Sequence, residues 1–352
     1  MSRVPADIHE VLRSRAAQNG GALSFRDFTE TALFDANFGY YRKNRARVGR
    51  GAGTDFYTAA SLGGVFGRLV RAAAGTLISA NSGKIAGTAD AGTAALREFA
   101  LVEIGAEPAQ THFAAQSRFF REFRTLRLGE ATEIPENAIV VANELLDAQP
   151  FYRLVSRAGT WREIGVAENP RERGDWQEIL LENFSSPEIA AFAATLPELA
   201  RGNADDGRHI DISLDAETLL ARILGAIRGR GAAIFFDYGK TLADCLDAFP
   251  QGTARAYFRH TQSNALTHAP GEQDLTCHVF WDRLARVFEK CGFRAAPAMR
   301  QEKFFMQYAQ SEIAQIVASR APEAERERAV LKELILPIKM GHAFQVLAGT
   351  NF

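Results

Sequence analysis

Three stretches constrain this chain more than any other feature: "FALVEIG" at 99–105, "NAIVVANE" at 137–144 and "AAIFFDYG" at 232–239. Each is a nearly unbroken apolar run that ends on acidic, amide or glycine residues. Runs without polar alternation fit strands buried on both faces, and such strands need helices on both sides of a mostly parallel sheet. The intervening sequence supplies them. "AQTHFAAQSRFFREF", "DAETLLARILGAI" and "CHVFWDRLARVFEKCG" read as helices, and "RTLRLG" as a further strand. In open α/β sheets ligands bind beyond the carboxyl ends of the strands. The residues at those ends are Glu103 and Gly105, then Glu130, then Asn143, Glu144 and Asp147, then Asp237, Tyr238 and Gly239.

The flanking sequence is organised differently. Residues 7–18 have apolar positions at helical spacing, closed by Gly20 and Gly21, and Ser24 offers an N-cap for a second helix through "FTETALFD". Residues 42–55, rich in Arg, Lys and Gly, read as an exposed loop, a helix of small residues follows from Ser61, and residues 80–93 read as a flexible connection. "FYRLVSRAGTWREIGVA" has two alternating runs around Ala158-Gly159-Thr160, the pattern of a β-hairpin.

Composition removes several function classes. A length of 352 residues fits two domains or one with an attached lobe, and 47% apolar with 24% charged residues is that of an ordinary globular chain. A formal net charge of -1 gives no field for nucleic acid or an anionic membrane, and no run approaches the ~18 apolar residues of a membrane span. The three cysteines, Cys245, Cys277 and Cys291, form no C-x-x-C pair, so a reducing, cytoplasmic setting is expected, and "MSRVPADIHEVLRSR" lacks the apolar centre of a secretory signal. No metal is expected. Asp274 and His278 stand four apart, as ligands on one helical face would, but Thr276 between them is simply an N-cap for the following helix.

Two stretches carry the chemistry. "VVANELLDAQPF" puts the carboxamide of Asn143 and the carboxylates of Glu144 and Asp147 at a strand end, where they can hold an amine or guanidinium or, alternatively, cap a short helix and pair with an arginine. "EIGAEPAQT" begins as a nucleotide-binding loop with Glu103 and Gly105, but Ala106, Glu107 and Pro108 follow where further glycines belong. Glu130 stands near the ~20-residue interval at which an acid meets ribose hydroxyls, and otherwise merely opens a loop.

Taken in order, "FTETALFDANFGYY", "TDFYTAASLGGVFG", "LVEIG", "NELLDAQPF" with "WREIGV", "FFDYG", "PGEQDLTCHV" and "KMGHAFQVL" resemble the MidA-like family of class I S-adenosyl-L-methionine (SAM)-dependent methyltransferases. The resemblance implies a Rossmann-like α/β fold. It has an N-terminal helical region and cofactor-covering segment at 1–80, and a core at 95–352 carrying an inserted hairpin and helical lobe at about 151–210 and 250–275. It further implies SAM at Glu103 and Gly105, covered by Asp55, Phe56 and Thr58, with Asn143, Glu144 and Asp147 beside the methyl group. The implied partner is a protein, either a substrate methylated on arginine or an assembly partner. The chain departs from the pattern by keeping only the first glycine of the loop and by having Ala60-Ser61 where Pro-Glu is usual. Two functions follow from the sequence: a methyltransferase, or an inactive member of that fold serving as a binding or assembly module.

Overall fold

The structure, a computed structural model, describes residues 5–43, 47, 64–81, 94–106, 112–197 and 206–352. The chain divides into two compact units. Residues 46–145, 217–239 and 281–352 make one, and residues 1–45, 146–216 and 240–280 the other.

The first of these units is built on a seven-stranded sheet. Its strands are β1 (Ala100–Ile104), β2 (Glu122–Leu126), β3 (Ala138–Asn143), β4 (Ala232–Asp237), β5 (Arg294–Ala295), β6 (Met299–Arg300) and β7 (Gln345–Thr350). Across the sheet they run β5-β7-β4-β3-β1-β2, with β6 also along β7. β1 to β4 are parallel and β7 lies antiparallel to β4. β3 is buried up to Asn143 and β4 throughout, as their unbroken apolar sequence requires. On one face Leu101, Ile139, Val141, Ile234 and Phe236 pack with Phe66 and Leu69 of helix Gly64–Asn81 and with Phe304 and Phe305 of helix Gln301–Tyr308. Phe236 centres this layer, its ring 5.2 Å from Phe66 and 5.7 Å from both Phe304 and Phe305. On the other face Phe235 meets Phe288 of helix Trp281–Lys290, with ring centroids 6.1 Å apart. Strand order reverses at β1 and β3, the point at which such sheets open a crevice beyond the strand ends.

The other unit holds an antiparallel sheet whose centre is the hairpin Tyr152–Arg157 and Thr160–Glu168. Its turn places Ala158 at φ 50° and Gly159 at φ 80°, the paired left-handed conformation that lets two residues reverse a twisted ribbon. Strand His209–Ile212 extends the sheet on one side, and Leu23–Ser24 and Trp176–Leu180 flank the other hairpin strand. The two N-terminal helices form as their signals require, Ile8–Gln18 capped by Asp7 and Phe25–Phe34 capped by Ser24, whose hydroxyl accepts from the Asp27 amide at 3.0 Å. Two readings are corrected. Of the helix expected at 109–123, the described residues form a 3-10 segment, Ala114–Phe119, and Glu122 already opens β2. Asp274–Thr276 is a strand, and the next helix starts only at Trp281, so Asp274 and His278 share no helical face.

The hairpin sheet encloses a charged cluster. Arg153 Nε donates to buried Asp211 at 2.9 Å, and its other nitrogens reach Glu178 and His209. The second Asp211 oxygen accepts from the Thr253 and Ala254 amides at 2.6 and 2.8 Å. Removing one partner of such a pair strands the other charge away from water. Asp211→Ala is therefore expected to destabilise the protein by roughly 3–5 kcal/mol, read as a lower denaturant midpoint.

Candidate functional site

The carboxyl ends of β1 and β3 gather the residues singled out in the sequence. Glu103 is the fourth residue of β1 and pairs in register with Val141 of β3, so its side chain emerges on the same face as Leu101 and Val141. It is only 3% exposed. One carboxylate oxygen accepts from the His112 amide at 3.1 Å, and among the described residues the other has no hydrogen-bond donor. Burial pushes the Glu103 pKa up to about 7, against the His112 amide, the Arg127 guanidinium and the Phe113 amide, all of which favour the charged form. A carboxyl poised near neutrality at a strand end is costly to the fold, and such groups cluster at functional sites.

Gly105 follows β1 at φ 81°, a left-handed conformation that any side chain would strain. Its amide donates to Leu126 O at 2.9 Å, the last rung between β1 and β2, and the left-handed backbone then turns the chain away. A Cβ here would stand 2.9 Å from Leu145 Cδ1, two residues beyond the end of β3. The remainder of the altered loop, with Glu107 and Pro108, lies outside the described residues.

At the end of β3, Asn143 Nδ2 donates to Glu144 Oε1 at 2.8 Å. A carboxylate only accepts, so the amide oxygen must face the other way, where it is buried with no donor among the described residues. Glu144 has φ 51°, an uncommon conformation for a non-glycine residue, held by its amide bond to Phe236 O at 2.9 Å. Strained backbone of this sort is retained where a side chain is needed in one place. Asp237, at the end of β4, is buried and accepts from the Tyr238 amide, and the Tyr238 ring packs on Phe344 with centroids 4.2 Å apart.

The structure thus brings Glu103, Gly105, Asn143 and Glu144 together on two adjacent strands. It places Glu130 apart from them, exposed in the turn after β2, with its carboxylate accepting from the Arg127 amide at 2.7 Å. Asp147 belongs to the other unit, where it is buried, its carbonyl accepting from the Cys277 amide at 3.0 Å. Asp55, Phe56 and Thr58 lie outside the described residues. Arg127 was missed by the sequence reading. Its signal was its place directly after β2, obscured because the end of that strand was set at Glu130. Among the described residues, no group of three or more His, Cys, Asp or Glu is placed to hold a metal, and no helix is long and apolar enough to cross a membrane.

A parallel sheet in this order, crossed by a late antiparallel strand and opening on Glu103 and Gly105, defines the class I methyltransferase fold. Residues 92–299 match the family described as "Putative S-adenosyl-L-methionine-dependent methyltransferase", and the chain belongs to that family. It is similar to the mitochondrial protein arginine methyltransferase NDUFAF7 of Danio rerio, at 23% identity over 94% of this chain and 84% of the relative. The Drosophila melanogaster homologue of that enzyme, also named mitochondrial, is 27% identical over 61% of this chain and 48% of its own length. Among solved structures, a methyltransferase-like protein of Burkholderia thailandensis bound to S-adenosyl-homocysteine superposes with a TM-score of 0.77. That likeness covers 99% of this chain and 95% of the other, at 22% identity. The cytoplasmic setting expected from the sequence is overturned by the two named relatives, both mitochondrial. Its physical basis was too broad, because free cysteines indicate only a reducing interior.

The raised Glu103 pKa has a direction for stability. Between 4.5 and about 7 the folded state binds the proton more tightly than the unfolded chain, so the site's destabilising effect is absent at low pH, grows as pH rises and is complete above 7. Glu103→Gln is expected to raise the urea midpoint at pH 8 and leave it unchanged near pH 4.

Proposed function

We propose that the chain is a SAM-dependent methyltransferase whose acceptor is a protein side chain, an arginine guanidinium. The observation that carries the reading is a buried acceptor with no donor among the described residues, Glu103 Oε2, beside a left-handed Gly105 at the point where strand order reverses. An adenosyl cofactor brings hydroxyl and amino donors and needs a backbone it can approach closely. These residues fit both requirements. The matched family and the names of the relatives support the same class, and arginine is the acceptor those names give for the relatives themselves.

SAM would supply a methyl group activated on a sulfonium. The residues of this chain bind and orient. Glu103 accepts hydrogen bonds from the cofactor, and Gly105 leaves room for it. Asn143 Oδ1 and the Glu144 carboxylate accept from the N–H groups of the acceptor and fix its nitrogen, an alignment that is itself the main catalytic contribution to a displacement of this kind. Asp147 holds a place in that set by the family resemblance alone.

Titration calorimetry with S-adenosyl-homocysteine tests the cofactor site. Binding is expected in the low-micromolar range, tightening as pH rises through about 7 with release of a proton from Glu103, a dependence that Glu103→Gln abolishes. No heat and no thermal stabilisation at millimolar ligand would overturn the reading and leave the binding or assembly module. For the acceptor, Glu144→Asn keeps a residue tolerant of the left-handed conformation while removing the carboxylate. It is expected to retain fold and S-adenosyl-homocysteine affinity but to lose about ten- to a hundredfold in transfer of labelled methyl to arginine-containing protein, the scale of a lost charge-assisted contact. Unchanged transfer would remove Glu144 from the acceptor site.

A further inference from the structure

Arg127 is the first residue beyond β2 and stands 22 positions after Gly105. In nucleotide-binding sheets the residue at that place meets the ribose, and it is ordinarily an acid that accepts from the hydroxyls. The acid nearest in sequence, Glu130, is exposed and folded back on the Arg127 amide. The Arg127 side chain is half-buried, its Nε is buried with no acceptor among the described residues, and its charge acts on the Glu103 carboxyl. The ends of β1 and β2 therefore leave, among the described residues, one buried donor, Arg127 Nε, and one buried acceptor, Glu103 Oε2, without partners at the carboxyl ends of neighbouring parallel strands.

We propose that Arg127 grips the ribose of the cofactor, donating to hydroxyl oxygens where an acid would accept from them. The inference rests on the cofactor reading above. A vicinal diol suits this pair of strand ends because each hydroxyl both donates and accepts, so one ligand group can accept from Arg127 and donate a hydrogen bond to an acceptor such as Glu103. A guanidinium has no acceptor capacity, so the polarity of recognition is reversed at this position. That explains how the site can lack an acid at the end of β2 and still hold a ribose.

The test is a cycle between protein and ligand, using calorimetry with S-adenosyl-homocysteine and its 2′-deoxy and 3′-deoxy analogues on the full chain and on Arg127→Ala. The variant is expected to bind S-adenosyl-homocysteine at least about tenfold more weakly, the effect of a lost hydrogen bond from a charged donor. It should lose little or nothing further on at least one deoxy analogue, whereas the unmodified protein loses that factor on the same analogue. Arg127→Met, which keeps the length of the stem, repeats the measurement if the alanine variant melts early. Equal binding of S-adenosyl-homocysteine by the protein and both variants overturns the proposal. So does an equal loss on all three ligands, which would make Arg127 structural. Absence of binding by the unmodified protein overturns instead the cofactor reading on which the proposal rests.

Discussion

The burial of β3 and β4 on both faces is the constraint from which the rest of this unit follows. A strand with no polar side must have apolar partners above and below, and its peptide groups must be satisfied within the sheet. Helices Gly64–Asn81 and Gln301–Tyr308 cover one face and Trp281–Lys290 the other, with Phe236 and Phe235 pointing to opposite layers. Neighbouring strands joined by such covering elements run parallel, so their carboxyl ends emerge along one edge. That is why Glu103, Asn143 and Asp237, far apart in sequence, end on the same edge. Register enforces it further: a slip of one residue would turn Val141 outward and exchange its place with a neighbour on the opposite face.

Against that ordered interior, the strand ends break the usual rules of burial. Interiors rarely leave polar atoms unsatisfied, yet Glu103 Oε2, Asn143 Oδ1 and Arg127 Nε all lie buried without partners among the described residues, within one stretch of the sheet edge. Glu144 adds a non-glycine residue in left-handed backbone beside them. Each feature disfavours the fold by itself, and their concentration at these strand ends is what marks them as the candidate site. A ligand that supplies the missing partners would recover part of that cost on binding.

Much of this was legible in the chain. The three apolar runs gave β1, β3 and β4, Ser24 gave a helix start, and Ala158-Gly159 gave the hairpin, because in each case the signal and the physical cause are local. The readings of the fold that differed depended on where a strand ends or which element a short segment joins. Residues 109–123 have helical spacing, but the strand already begins at Glu122, and in the described part before it the chain forms a 3-10 segment, Ala114–Phe119. Thr276 has the chemistry of an N-cap and is drawn instead into a strand paired with Arg255. The end of β2 was read at Glu130, although the strand stops at Leu126 and the acid serves its own turn.

By itself, the sequence determined a parallel sheet with helices on both faces, a turn after Glu103 that requires glycine, and a family of methyltransferases, since hydrophobic period, turn chemistry and motif order are properties of adjacent residues. Tertiary structure alone decided which strand ends meet and which polar atoms are left open there. Whether a carboxyl has its pKa raised, as burial raises that of Glu103, or stays solvated and ordinary depends on the layers folded over it, and those come from separate segments on either side in the sequence, Phe66 before it and Phe304 and Phe305 long after it. The same holds for Arg127, an unremarked basic residue in the chain that pairing between β1 and β2 turns into a buried donor at the mouth of the site.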